Sequence, residues 1–263
     1  MNKMQWIVLG SALVLFLVLY FGCDTKPKSQ KALEKSRAFV VESTDLSELL
    51  LSAKASLSAS QSSDIHQLDA QLESAANDSA KVETLKQLSS VWYQLGQPAI
   101  AGTYAQQVAE ALNDEQSWSI TGTTFSICLQ SSQNEQVRSY CVGRAVKAFE
   151  NAISINPKNM AHRVNLALTY TDMPPKDEPM KGILMLRELN QQEPNNVLIL
   201  NSLARLAIRT NQWDRAKERL EQAIAIEPQN AGTICMLAQV YEQVGEAASA
   251  KTFADRCAAA NNQ

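Results

Sequence analysis

The feature that most constrains this chain is a phrase that returns at nearly constant intervals in its C-terminal half. Residues 152–161 read AISINPKNMA, residues 189–198 read LNQQEPNNVL and residues 223–232 read AIAIEPQNAG. Their prolines are separated by 37 and then 34 residues. Because proline lacks a backbone donor and clashes with the preceding helical turn, each phrase predicts the end of one helix before the next begins. The interval predicts a stack of helical pairs.

The residues before each proline resemble the second helix of the tetratricopeptide repeat, A-x3-F-x2-A followed by proline. Small side chains suit positions where two helices approach closely, and larger ones suit positions where they interlock. The matching sets are Ala145, Phe149, Ala152 and Pro157; Gly182, Leu186, Leu189 and Pro194; and Ala216, Leu220, Ala223 and Pro228.

The first helix of that family follows W-x2-L-G-x2-Y. Five stretches are similar to it: LKQLSSVW from residue 85, WSITGTTF from 118, RVNLALTY from 163, LNSLARLA from 200 and ICMLAQVY from 234. They divide residues 81–263 into units at 81–113, 115–158, 160–195, 197–229 and 231–262. The resemblance implies an all-α, right-handed superhelix of about five tetratricopeptide helix pairs.

Two units exceed the family length. The second has about 11 extra residues near QSSQNEQVRSYC, between its helices, and the third has about three near TDMPPKDEP, both judged against a 34-residue repeat. Because insertions in repeats map to loops, both places predict a surface loop. Whether such a loop makes a contact or is simply tolerated stays open.

Cys128 and Cys141 bracket the longer insertion. In an oxidising compartment they predict a disulfide that closes a loop of about 14 residues. In a reducing compartment they are small buried apolar side chains instead. The same alternatives apply to Cys235 and Cys257, which also fall in paired helices.

The N-terminal segment predicts a membrane anchor. Residues 4–23 carry no charge, and twenty helical residues span about 30 Å, the thickness of the hydrocarbon core. We therefore assign residues 1–23 to one transmembrane helix. Gly22-Cys23 resembles a bacterial lipoprotein signal, so lipidation of Cys23 is the alternative.

Residues 24–80 predict a juxtamembrane linker and a helical lead-in. Five basic residues lie between positions 26 and 37, and the positive-inside rule then favours a cytoplasmic repeat domain at the cell membrane. A secretory reading of the same segment places that domain in the periplasm. Two amphipathic stretches follow, and we expect them to cap the first repeat.

The composition and motifs disfavour several function classes. A net charge of −3 argues against a nucleic-acid binder, which is usually strongly basic. The two histidines lie far from any cysteine, so no metal site is expected. The sequence contains no phosphate-binding, metalloprotease or nucleophile-elbow motif. We therefore predict neither a catalytic site nor a cofactor.

Stacked helical pairs form a concave surface, and the resemblance implies that this surface binds proteins or peptides. In the fourth unit Asn201, Arg205 and Arg209 share one helix face. Arginine suits carboxylates, so this face predicts an acidic peptide or a C-terminal carboxylate as partner. The alternative is a solvated face paired with local acids. Further groove candidates are Asn165, Leu168 and Thr171 in the third unit, and Gln239 and Glu242 in the fifth.

These features favour a membrane-tethered scaffold or adaptor that collects protein partners. The alternative is a periplasmic envelope or cytochrome assembly factor that holds its clients as a lipoprotein. A surface lipoprotein that binds glycans needs an aromatic groove. Trp92 and Trp118 fall at core motif positions, which disfavours that third function.

Overall fold

The computed structural model describes residues 46–261, and every regular element among them is a helix. The chain divides after Ser52 into two compact units. Residues 46–55 are helical (α1). The remaining helices belong to the second unit: α2 (Ala59–Glu73), α3 (Asp78–Gln94), α4 (Pro98–Leu112), α5 (Glu115–Ser131), α6 (Glu135–Ile155), α7 (Met160–Asp172), α8 (Lys181–Gln192), α9 (Val197–Arg209), α10 (Trp213–Ile226), α11 (Ala231–Gln243) and α12 (Ala247–Asn261).

Helices α3 to α12 form five consecutive pairs, α3/α4, α5/α6, α7/α8, α9/α10 and α11/α12, and each pair packs on the next. These pairs coincide with the five predicted units, so the all-α repeat architecture is confirmed. Helix α2 packs against α3, as expected of a cap. The right hand of the superhelix and the boundary at residue 80 stay predictions.

Each proline-containing phrase ends one pair and caps the next. Helices α6, α8 and α10 end two residues before their prolines. Two residues after each proline an asparagine takes the N-cap position, where its side-chain oxygen satisfies amide groups that have no partner within the helix. Asn159 accepts from the amide of Ala161 at 3.0 Å, and Asn230 accepts from that of Thr233 at 3.0 Å. The recurring signal is therefore Pro-x-Asn.

The predicted core is buried. All nine second-helix motif residues that precede the prolines are buried. The close approach of the paired helix requires glycine at position 122. A Cβ there would lie 2.6 to 2.8 Å from the ring of Phe149 in that helix. Trp92 and Trp118 are also buried, so neither ring is available to a glycan.

The predicted loop in the second unit is wrong. Helices α5 and α6 have 17 and 21 residues, against 13 and 14 in α9 and α10, and only residues 132–134 join them. The extra residues therefore lengthen both helices. Asn134 makes this possible because it caps α6 early, accepting from the amide of Gln136 at 2.8 Å. In the third unit residues 173–180 do form a loop.

Two disulfides each join the helices of one pair. Cys128 of α5 is bonded to Cys141 of α6, with Cα atoms 6.1 Å apart. Cys235 of α11 is bonded to Cys257 of α12, with Cα atoms 4.9 Å apart. Both separations lie within the usual range for a disulfide.

A hydrogen-bonded carboxylate joins the second pair to the third. Glu115, at the start of α5, accepts from His162 Nε2 at 2.7 Å, Asn159 Nδ2 at 2.7 Å and Asn156 Nδ2 at 2.9 Å. His162 is 3% exposed. The hydrogen bonds from Asn156, Asn159 and His162 stabilise the ionised form and lower the pKa of Glu115 to about 2. No motif in the sequence had indicated this junction.

The predicted anchor at residues 1–23, the basic linker and Cys23 lie outside the described residues. Between residues 46 and 261 no helix is both long and apolar enough to cross a bilayer. No group of metal-ligating side chains converges within this part of the chain.

Candidate protein-binding face

The first helices of the pairs lie on the inner side of the stack. Helices α5, α7 and α9 each pack directly on the first helix of the next pair. Among the second helices described, only α4 and α6 pack on each other in this way. From the second pair onward the first helices are the closer ones, so this part of the stack curves toward α5, α7, α9 and α11. Between the first two pairs the second helices α4 and α6 are in contact instead.

One residue from each pair occupies the same position on this side. It directly follows the small residue of the first-helix motif, and it is exposed or half-buried in every pair. We call these five residues the inner row: Ser90, Thr123, Leu168, Arg205 and Gln239. Three of the predicted groove residues, Leu168, Arg205 and Gln239, therefore occupy this position, with Leu168 packed partly against the core of its pair.

The remaining predicted residue in the last pair lies beside the row. Glu242 is exposed. Together with Gln239 it borders a cavity of about 550 Å³ between α11 and α12, whose opposite side carries Lys251.

Two of the predicted polar groove residues bond to neighbouring helices. Asn201 Nδ2 donates to Thr233 Oγ1 of α11 at 2.8 Å, and Arg209 Nη1 lies 2.7 Å from Asp172 Oδ1 of α7. The alternative of a solvated face paired with local acids describes Arg209, whereas Asn201 bonds to a neutral hydroxyl. Arg205 is exposed, and among residues 46–261 it has no hydrogen-bonding or ion-pair partner.

The two remaining candidates in α7 occupy different positions. Asn165 is half-buried. Thr171 lies against the paired helix α8, because a Cβ added to Gly182 would be 2.7 Å from Thr171 Cγ2. Thr171 therefore belongs to the interface within the third pair rather than to the inner row.

A cavity at the start of the repeat stack was not predicted from the sequence. Helix α4 packs on both α3 and α5, whereas α3 and α5 are not packed on each other as later first helices are. The gap between them holds a cavity of about 750 Å³. We call it the front trough. Its lining residues are Lys86, Ser89, Ser90, Tyr93, Ala105, Val108, Leu112, Asp114, Gln116, Ser117, Ser119, Ile120, Thr123, Thr124 and Ile127.

The front trough concentrates exposed apolar surface. Tyr93, Leu112 and Ile120 are 48%, 44% and 52% exposed, and all three line it. The signal was present in the sequence, since the inner-row rule applied to the first two units selects Ser90 and Thr123, which also line the trough.

The few charges in the trough lining have local partners. Only Lys86 and Asp114 carry charge there. Lys86 Nζ lies 3.8 Å from Glu83. Asp114 is the N-cap of α5 and accepts from the Ser117 amide at 2.8 Å. The trough is thus an apolar surface edged by hydroxyl groups.

Fold and face together define a helical-repeat solenoid that presents an inner surface. The tetratricopeptide repeat family model matches residues 182–230 and 211–263, which cover α8 to α12. The resemblance proposed from the sequence is confirmed for these residues. For α3 to α7 it rests on the motifs and on the pairing of the helices.

Solved structures with a similar arrangement have low sequence identity. A crystal structure of MamA is 19% identical, covers 63% of this chain and 87% of its own, and has a TM-score of 0.43. A thermophilic tetratricopeptide repeat protein of Thermus thermophilus is 16% identical, covers 67% of this chain and 87% of its own, and has a TM-score of 0.48. Similarity at this level does not extend to function. No curated protein sequence matches the chain.

Proposed function

We propose that this protein is a membrane-tethered scaffold that binds other proteins along the inner row and in the front trough, without catalysing a reaction. The observation that carries the proposal is the gathering of exposed Tyr93, Leu112 and Ile120 around one cavity. Concave sites lined mainly by apolar side chains are where proteins usually bind their ligands and partners. In a repeat protein, stacking of similar units creates an extended surface of this kind.

Arg205 adds a second contact to this proposal. Its guanidinium is exposed and has no acidic partner among residues 46–261, and such a group suits a carboxylate. We propose that an acidic side chain or a C-terminal carboxylate of the partner pairs with Arg205. Asn201 and Arg209 do not take part, since each is already bonded to a neighbouring helix.

The tether is the apolar segment at residues 4–23, as a transmembrane helix or through lipidation of Cys23. Two disulfides within the repeat stack favour an oxidising compartment. They support the second candidate function, a periplasmic assembly factor that holds client proteins, over a cytoplasmic adaptor. Both candidates use the same binding face.

Site-specific photo-crosslinking in intact cells tests the binding face. A small diazirine-bearing residue at Thr123 or Ser90, both of which line the trough, should give discrete protein adducts. One at Leu184, which is 55% exposed on the second helix α8, is the control. The proposal fails if Leu184 yields the same adducts as the inner row, or if the inner row yields none.

Protease treatment of intact spheroplasts separates the two placements. Digestion of the repeat domain from outside supports the assembly factor, and protection until the cells are lysed supports the cytoplasmic adaptor. Reaction of all four repeat cysteines with an alkylating agent before reduction would remove the support for the oxidising compartment.

A further inference from the structure

The front trough has the length and direction needed to accommodate a helix. Its lining positions recur at helical spacing on α3 (Lys86, Ser89, Ser90 and Tyr93), on α4 (Ala105, Val108 and Leu112) and on α5 (Gln116, Ser119, Ile120, Thr123, Thr124 and Ile127). The cavity therefore follows the helix axes instead of crossing them. From Gln116 to Ile127 the α5 wall extends about 16 Å at 1.5 Å per residue. This length accepts about three turns of a helix lying parallel to α5.

The place of the trough in the stack supports the same occupant. First helices α5, α7 and α9 each pack directly on the first helix of the next pair. Among the five described pairs, only α3 and α5 are not packed closely in this way, and α4 forms the floor between them. An added helix in this gap would pack against the first helices on both sides and cover the floor.

The residues that line the trough indicate which side chains a bound helix should present to it. The exposed parts of Tyr93, Leu112 and Ile120 offer apolar surface. Ser119 and Thr123 are small and allow a close approach. Apart from Lys86 and Asp114 the lining is uncharged, so a charge on the occupant that faces the rest of the lining would lose water without gaining an opposite charge.

We propose that the front trough binds an amphipathic helix of a partner protein through an uncharged stripe of aliphatic or aromatic side chains at i, i+3 or i+4, and i+7. This inference rests on the proposed function and names the class of partner. It assigns the main anchor to the first two pairs, with the contact at Arg205 as a separate, peripheral one. Helix-in-groove recognition uses this spacing of anchors.

Binding of designed peptides to the full-length chain tests the proposal. The probe is a fluorescein-labelled 16-residue peptide with Leu and Phe at the stripe positions and Gln, Ala and Lys elsewhere. Its control has the same composition in scrambled order, so that charge and hydrophobicity are equal and the stripe is lost. We expect fluorescence anisotropy to show binding at least tenfold tighter for the stripe peptide.

Two trough variants and one control variant locate the binding. Ile120→Asp should weaken the stripe peptide at least tenfold, whereas Leu184→Asp, at a similarly exposed position on an outer helix, should change its Kd less than twofold. Thr123→Arg obstructs the trough without placing an acid there, and should also weaken it. Circular dichroism of each variant establishes that the fold is retained.

The outcomes distinguish the proposal of a bound helix from the proposed scaffold function. Equal binding of both peptides, or no effect of Ile120→Asp and Thr123→Arg, overturns the helix assignment. So does saturable binding of a fatty acid at the trough without binding of either peptide, because the site then takes a small apolar molecule. If the peptides fail while Thr123 still crosslinks to proteins, the scaffold function stands and only the helix assignment is lost.

Discussion

The front and back of the repeat stack have interiors built from the same motif positions but differ on their inner surface. At the front, the gap between α3 and α5 leaves Tyr93 and Ile120 exposed to solvent. At the back, the first helices are joined by polar contacts, Asn201 to Thr233 and Arg209 to Asp172. The repeat motif thus specifies the buried residues of each pair, whereas the residues on its inner surface differ from pair to pair.

The same difference appears in the comparison with the family. Residues 182–263, at the back, match the tetratricopeptide model, whereas the front pairs are recognised from motifs and pairing alone. The front contains the two lengthened helices α5 and α6. The part of the chain that departs most from the family pattern is therefore the part beside the proposed binding trough.

The largest expected effect is the loss of a fully buried ring at the front, compared with a half-buried ring at the back. Phe125 is buried beside Gly102, with its ring 5.9 Å from that of Tyr140. Phe125→Ala should lower the free energy of unfolding by about 3–5 kcal/mol, measured by urea denaturation. Phe253→Ala, at the back, removes a half-buried ring 5.4 Å from that of Tyr241 and should cost less. Equal losses would contradict the difference in burial.

The disulfides test whether the front and the back of the stack are stabilised by similar amounts of free energy. The bond from Cys128 to Cys141 spans 13 positions and that from Cys235 to Cys257 spans 22. In the chain-entropy model each is worth about 3 kcal/mol. Replacing either pair by serines should therefore lower the unfolding free energy by a similar amount. A variant as stable as the oxidised parent would show that the bond contributes nothing.

The carboxylate at the junction between front and back predicts a dependence on pH. The pKa of Glu115 is lowered to about 2, so its contribution is complete above its ordinary pKa near 4.5 and is lost as pH falls from there toward 2. The thermal midpoint of the parent should fall more steeply in this window than that of Glu115→Gln. Glu135→Gln, a highly exposed control at the start of α6, should follow the parent. Parallel curves for parent and Glu115→Gln would refute the linkage.

The smallest expected effect concerns the polar contacts at the back. Asp172→Asn weakens the pair with Arg209, which is about half exposed, and should cost no more than about 1 kcal/mol. It also frees a second guanidinium near Arg205, so binding of an acidic peptide should strengthen while the stripe peptide is unaffected. Asp214→Asn on the outer helix α10 is the control. An acidic peptide that binds the parent and Asp172→Asn equally would place its site elsewhere.

The sequence predicted the parts of the fold that depend on local rules. Each Pro-x-Asn phrase ends and restarts a helix through its own backbone chemistry, and Ala216, Leu220 and Ala223 show the core through spacing alone. The repeat motif carries no signal for the capping of α6 by Asn134, so the motif predicts a loop where the structure has two lengthened helices.

The candidate site was less predictable, because it depends on distances between helices that are far apart in sequence. Asn201 and Arg209 carry the residue types of a groove, but their partners Thr233 and Asp172 lie 32 and 37 positions away. The front trough exists because α3 and α5 are not packed on each other, which no single-helix pattern reports. Only the inner-row register, which contains Leu168, Arg205 and Gln239, could have pointed to it.

Hydrogen–deuterium exchange tests the central claim, that partners dock at the front of the inner surface. The full-length chain is compared before and after it is saturated with a partner recovered by crosslinking from Thr123. We predict slower exchange in the segments 86–93 and 116–127, with little change across residues 231–261. Protection confined to residues 231–261, with none in the two trough segments, would contradict the account.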